Sequence, residues 1–131
     1  DTYGQTARST YQELLNRYPD APAAAKARMR TTELEEFFAK KELKTAQYYY
    51  RLKAYDSAII YLKDLAATYP RASVTPQALL KLVDAFRAVG YAEDLRETCG
   101  YIRRFHPATP GLDGSCPIGR DSVPASAGPP T

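Results

Sequence analysis

An all-α fold built from stacked helical hairpins is what this 131-residue sequence predicts. Three observations carry the prediction. Between Pro22 and Pro70 lie 47 residues with neither Pro nor Gly, and the stretch is rich in Ala, Leu, Glu, Lys and Arg, the strong helix formers. Three segments end alike, in "NRYPDA", "ATYPRA" and "RRFHPAT". The same 4, 3, 5 spacing precedes each proline: Ala7, Tyr11, Leu14 and Pro19; Ala58, Leu62, Leu65 and Pro70; Leu95, Cys99, Ile102 and Pro107. Steps of 4 and 3 put three apolar side chains on one helix face. The proline then lies just beyond the helix it ends, and a flat ring (Tyr18, Tyr69 or His106) precedes it.

The elements follow in order. Gly4 to Tyr18 is a helix stopped by Pro19, and its partner would lie before Asp1. The first two prolines are 51 apart and the last two 37, so the first gap holds about five extra helical turns. One long helix is expected from Ala23 to Leu52, with Leu34, Phe37 and Phe38 as its apolar anchors and Lys40 marking where a kink would fall. Its last turns carry a stripe of Ala46, Tyr49 and Leu52. After the turn "KAYDSA" comes the helix of Ala58, Leu62 and Leu65. The next hairpin pairs the Leu79, Leu82, Val83 and Phe86 stripe, ended at Gly90, with the helix of Leu95, Cys99 and Ile102. Helices 43–53 and 56–68 should pack antiparallel. Two regions result: a helical repeat domain over 1–107, and a tail over 108–131 with five Pro and four Gly. That tail is too poor in apolar residues to offset its ordering entropy and is expected to be disordered.

Composition excludes several function classes. The net charge is +3, but acids flank every short basic cluster, so the dense basic face of a nucleic-acid binder is missing. No run approaches the roughly 18 apolar residues of a membrane span. Cys99 and Cys116 are 17 apart, with no second pair and no His cluster. They form no zinc-site motif, and a disulfide between them is left open. His106, the only histidine, sits in a pre-proline packing slot. No nucleophile–base pair or Gly-rich phosphate loop occurs, so the sequence predicts neither an enzyme nor a cofactor.

The helix, short turn, helix, proline unit resembles the tetratricopeptide repeat. "LKAYDSAIIYLKDLAATYP" fits closely and "AVGYAEDLRETCGYIRRFHP" more loosely. The long inserted helix followed by "KELKTAQYYYRLKAY", Lys41 to Tyr55, is also similar to the C-terminal half of the BamD family of outer-membrane β-barrel assembly lipoproteins. The resemblance implies a right-handed solenoid on the periplasmic face of the bacterial outer membrane, anchored by a lipid upstream of Asp1. It also implies a non-enzymatic scaffold whose partners are the barrel subunit, with its periplasmic domains, and sibling lipoproteins. One departure matters. The family often carries Asn-Arg where this chain has Ile60 and Tyr61, so a charged contact there cannot be transferred. Alternatives within the same architecture are a periplasmic adaptor serving cell division or cell-wall synthesis, or accessory repeats of an upstream catalytic domain.

Five of the eleven tyrosines fall within residues 46–62. Tyr49 takes the core aromatic slot and Tyr55 the turn, both structural. Tyr50 and Arg51 are expected to face the concave groove, with Asp84 and Arg87 facing it from the next repeat. Rigid aromatics and arginine are what interfaces use as anchors. Tyr61 joins them as a candidate, with a packing role left open. Glu33, Glu35, Glu36 and Glu42 are expected to form a solvated face with partners such as Lys40.

Overall fold

The computed structural model describes residues 7–10, 12–13 and 22–117. Residues 7–10 and 12–13 are helical, with Ala7 half-buried; Tyr11, Leu14, Tyr18 and Pro19 lie outside the described residues. Five further helices follow: α1 Pro22–Arg51, α2 Tyr55–Thr68, α3 Thr75–Val89, α4 Ala92–Phe105 and α5 Leu112–Ser115. Among the described residues there is no strand. The chain is an all-α stack of tetratricopeptide-type hairpins, in which each of α1 to α3 packs on the next and α3 also meets α5.

The long helix runs unbroken over 30 residues, as its lack of breakers requires. Pro22 opens it at the first position, where a missing N–H costs nothing. The repeat spacing marks the core. Ala58, Leu62, Leu65 and Ile102 are fully buried, Cys99 is nearly so, and Leu79, Leu82, Val83 and Phe86 line the facing helix. Alanines 39, 46, 58, 78 and 85 are also fully buried; side chains this small let helix backbones approach closely.

A 37-residue register governs backbone detail too. The Tyr69 amide bonds the Leu65 carbonyl at 2.8 Å and the His106 amide bonds that of Ile102 at 2.7 Å, so the ring before each proline closes its helix. Ala72 and Thr109 then donate to the carbonyls of Tyr69 and His106, both at 3.1 Å. At the hairpin turns, Ala54 and Tyr91 donate to Tyr49 and Phe86, both at 2.9 Å. The left-handed residue in those turns is Gly90 (φ 80) in one hairpin and Lys53 (φ 61) in the other. Glycine adopts that conformation without strain and lysine does not.

Four expectations need correction. Phe37 is 56% exposed while Phe38 is buried: consecutive helical residues are about 100° apart, so one seam holds only one of them. Leu52 is 59% exposed because it lies past the last residue of α1, where the chain leaves the seam. Glu33 is solvated as expected, but Glu36 and Glu42 are tied down. Glu36 accepts 2.6 Å bonds from both the amide and the hydroxyl of Ser73, joining α1 to the α2–α3 turn. Those bonds, with Lys40 nearby, hold its carboxyl below the usual carboxylate range. Glu42 faces Asp64 on α2; burial and that neighbouring carboxyl push its pKa up to about 8. Glu35 reaches Arg8 at 3.9 Å and Glu33 reaches Arg30 at 3.0 Å.

The fourth concerns the domain boundary. Packing does not stop at 107. Residues 108–117 are described; Leu112 and Cys116 are buried in the same core, and Cys116 forms a disulfide with Cys99. Composition alone misjudged this segment because two well-placed apolar side chains and one covalent bond hold it. The rest of the expected disordered tail, 118–131, lies outside the described residues.

Candidate docking face

The aromatic run at the end of α1 divides between two surfaces, because adjacent helical positions diverge by about 100°. On one, Tyr49 stacks on Tyr61 of α2, with centroids 5.4 Å apart and planes 4° from parallel. Tyr48 meets the edge of Tyr49 at 5.4 Å and is itself 53% exposed. Tyr49 and Tyr61 are half-buried, so this ladder is a packed edge of the hairpin.

On the other, Tyr50 lies against α3. Its ring meets Tyr55 edge-on at 5.3 Å, and the Lys81 ammonium sits 4.3 Å from its centroid. Such a cation over a partly desolvated tyrosine contributes about 0.5–2 kcal/mol. Burial, and then the Asp84 carboxylate, raise the phenol above its ordinary range, and Arg87 opposes them. Asp84 and Arg87 pair at 3.5 Å one turn apart. Arg87 also donates to the Ser115 carbonyl, while the Ser115 hydroxyl donates to Asp84 at 3.3 Å. Tyr50, Lys81, Asp84, Arg87 and Ser115 thus form one connected patch, held by α1, α3 and α5. It is accessible: the side chains of Arg87 and Asp84 are 47% and 33% exposed.

Of the five residues singled out from sequence, the structure brings Tyr50, Asp84 and Arg87 together. Arg51 is exposed at the last position of α1, and Tyr61 belongs to the opposite aromatic ladder. Lys81 and Ser115 were missed. Lys81 had a signal, since it precedes Asp84 by three residues and so shares its helix face. Ser115 had none, because it lies in the segment read as tail.

Two clefts open at the proline corners. One, about 740 Å³, is lined by Ser73, Pro76, Gln77 and the run Phe105 to Pro110. The other, about 440 Å³, includes Glu36, Thr68, Pro70 and Ala72, the equivalent corner of the preceding hairpin. His106 has the packing role its slot implies. It closes α4, its carbonyl accepts the Thr109 hydroxyl at 2.6 Å, and its ring lies 6.1 Å from that of Tyr101.

Residues 1–99 match the family described as YfiO, outer membrane lipoprotein. Outer membrane protein assembly factor BamD of Vibrio cholerae serotype O1 is 30% identical over 94 residues, covering 72% of this chain and 39% of that protein. BamD of Xylella fastidiosa strain 9a5c is 30% identical over 116 residues, covering 86% of this chain and 39% of that protein. BamD of Caulobacter vibrioides is 26% identical over 92 residues, covering 70% and 30%. The chain therefore spans well under half the length of these relatives. The family match covers most of the chain, and it falls on the helical stack that the repeat spacing demands: this chain belongs to the BamD-like family of outer-membrane lipoproteins.

Proposed function

We propose that this chain is a non-enzymatic scaffold of outer-membrane β-barrel protein assembly. It docks the periplasmic domains of the barrel subunit through the patch of Tyr50, Lys81, Asp84 and Arg87, with Arg51 at its rim. The observation that carries this reading is the patch itself: a rigid aromatic and an arginine fixed in one geometry by three helices, yet open to a partner. Preorganised anchors of this kind lose little entropy on association, which is what makes hot spots. The family resemblance supports a place among sibling lipoproteins at the periplasmic face of the outer membrane, with a lipid anchor upstream of Asp1. The Cys99–Cys116 disulfide supports an oxidising compartment. A photo-crosslinking side chain placed at Arg51 or Lys81 in cells should capture the barrel subunit, whereas one at Glu97, on the outer face of α4, should not. Equal capture from both surfaces, or none from the patch, would refute the assignment.

A further inference from the structure

The 37-residue register continues past Pro107. Leu112 occupies the position of Thr75, the first residue of α3, and Cys116 that of Leu79. The backbone agrees: Thr75 donates to Ala72 at 3.1 Å, and Leu112 donates to Thr109 at 3.2 Å. Residues 112–116 are therefore the opening turn of a further repeat whose first helix goes no further. Where α3 runs for 15 residues, α5 has 4. One turn cannot sustain itself, because nucleating a helix costs more than a single turn returns. The apolar side chains it adds to the core are Leu112 and Cys116. Cys99 in turn takes the position of Leu62, so a covalent bond stands where the preceding repeat relies on two leucines.

We propose that residues 108–117 are a cap over α3 and α4 latched by oxidation of Cys99 and Cys116, and that the latch sets the geometry of Asp84 and Arg87. Ser115 lies between Leu112 and Cys116, the two buried anchors of the cap, and through it the cap grips both side chains. In the oxidation, the two thiols exchange with the disulfide of a protein thiol–disulfide oxidoreductase. The Cys99–Cys116 bond forms, the donor's S–S bond breaks, and two electrons and two protons pass to the donor, which leaves as a dithiol. Each sulfur-bearing residue is only 1% exposed in the closed cap. A thiolate must reach the sulfur it attacks, so the exchange takes place while the cap is open, and the closed latch is shielded from reductants.

The test compares the oxidised full chain with the Cys99→Val/Cys116→Val variant, which keeps apolar volume at both sites and removes the bond. Hydrogen exchange reads the amides of Leu112, Ser115 and residue 116, all hydrogen-bonded in the closed cap. We expect at least about tenfold faster exchange at these amides in the variant, with α2 and α3 unchanged. Unchanged protection of the cap would overturn the latch, since packing alone would then suffice. Equal loss of protection along α4 would also overturn it, because the bond would then be a staple of the whole hairpin. The effect on Asp84 and Arg87 rests on the docking proposal. Affinity for the purified periplasmic domains of the barrel subunit should fall about threefold to tenfold in the valine pair. Faster exchange with unchanged affinity would overturn that consequence, whereas failure of the unaltered chain to bind would strike the docking proposal and leave the exchange result standing.

Discussion

Glu42 should make this protein less stable as the solution turns alkaline. Its carboxyl, on α1, faces that of Asp64 on α2, where the Thr68 hydroxyl also lies 3.5 Å from Asp64. Folding raises the Glu42 pKa from 4.5 to about 8, chiefly by burial and then by Asp64. The folded state therefore keeps a proton that the unfolded chain gives up. Stability is unaffected by this group below about 4.5, falls as pH rises through the window, and is fully reduced above about 8. Unscreened, a window that wide corresponds to about 5 kcal/mol. The carboxyl is partly solvated, so the effect should be about 1–2 kcal/mol. Glu42→Gln removes the charge while keeping a donor for Asp64. Its melting temperature should exceed that of the parent by about 5–10 °C at pH 9 and match it near pH 5. A difference independent of pH, or a variant less stable at pH 9, would refute the reasoning.

Glu36 has the opposite sign. Glu36 is held low by Ser73, so its contribution is present above pH 4.5 and is lost as pH falls through its folded value. Glu36→Gln should lower stability by about 1 kcal/mol at pH 7, and the difference should shrink in acid, as read from denaturant midpoints at pH 7 and pH 3. Lys53→Gly should stabilise by about 0.5–1 kcal/mol, because a left-handed lysine carries strain that glycine does not; a loss on thermal melting would contradict the turn assignment. Leu65→Ala, at a fully buried repeat position, should cost about 3 kcal/mol in urea unfolding, whereas Leu52→Ala should cost well under 1 kcal/mol.

What was legible in the sequence was whatever repeats. Ala58, Leu62 and Leu65 recur as Leu95, Cys99 and Ile102 because each trio meets the same neighbours in successive hairpins, and all six are buried. The long helix was legible because nothing interrupts it. Phe37 and Leu52 were misplaced because apolar character does not say which side of a helix its seam lies on. Residues 108–117 were misjudged because their Pro and Gly content outweighed a register continuing beneath it. The docking patch was half legible. Tyr50, Asp84 and Arg87 follow from repeat position, while the grip of Ser115 and the meeting of Glu42 with Asp64 depend on which helices pack together. The sharp contrast drawn between Tyr49 and Tyr50 also softens, since both are half-buried and each packs against another tyrosine.

The central claim is that one connected patch docks the barrel subunit, and Lys81→Glu tests it most directly. Lys81 is half-buried, and its charge contacts Tyr50 at the patch centre without filling the core. Calorimetric titration with the barrel subunit's purified periplasmic domains should show at least about tenfold weaker binding for Lys81→Glu, with the melting temperature within a few degrees of the parent. A Glu97→Lys variant, altered on the outer face of α4, should bind like the parent. Parental affinity in Lys81→Glu would contradict the account, as would equal weakening in Glu97→Lys.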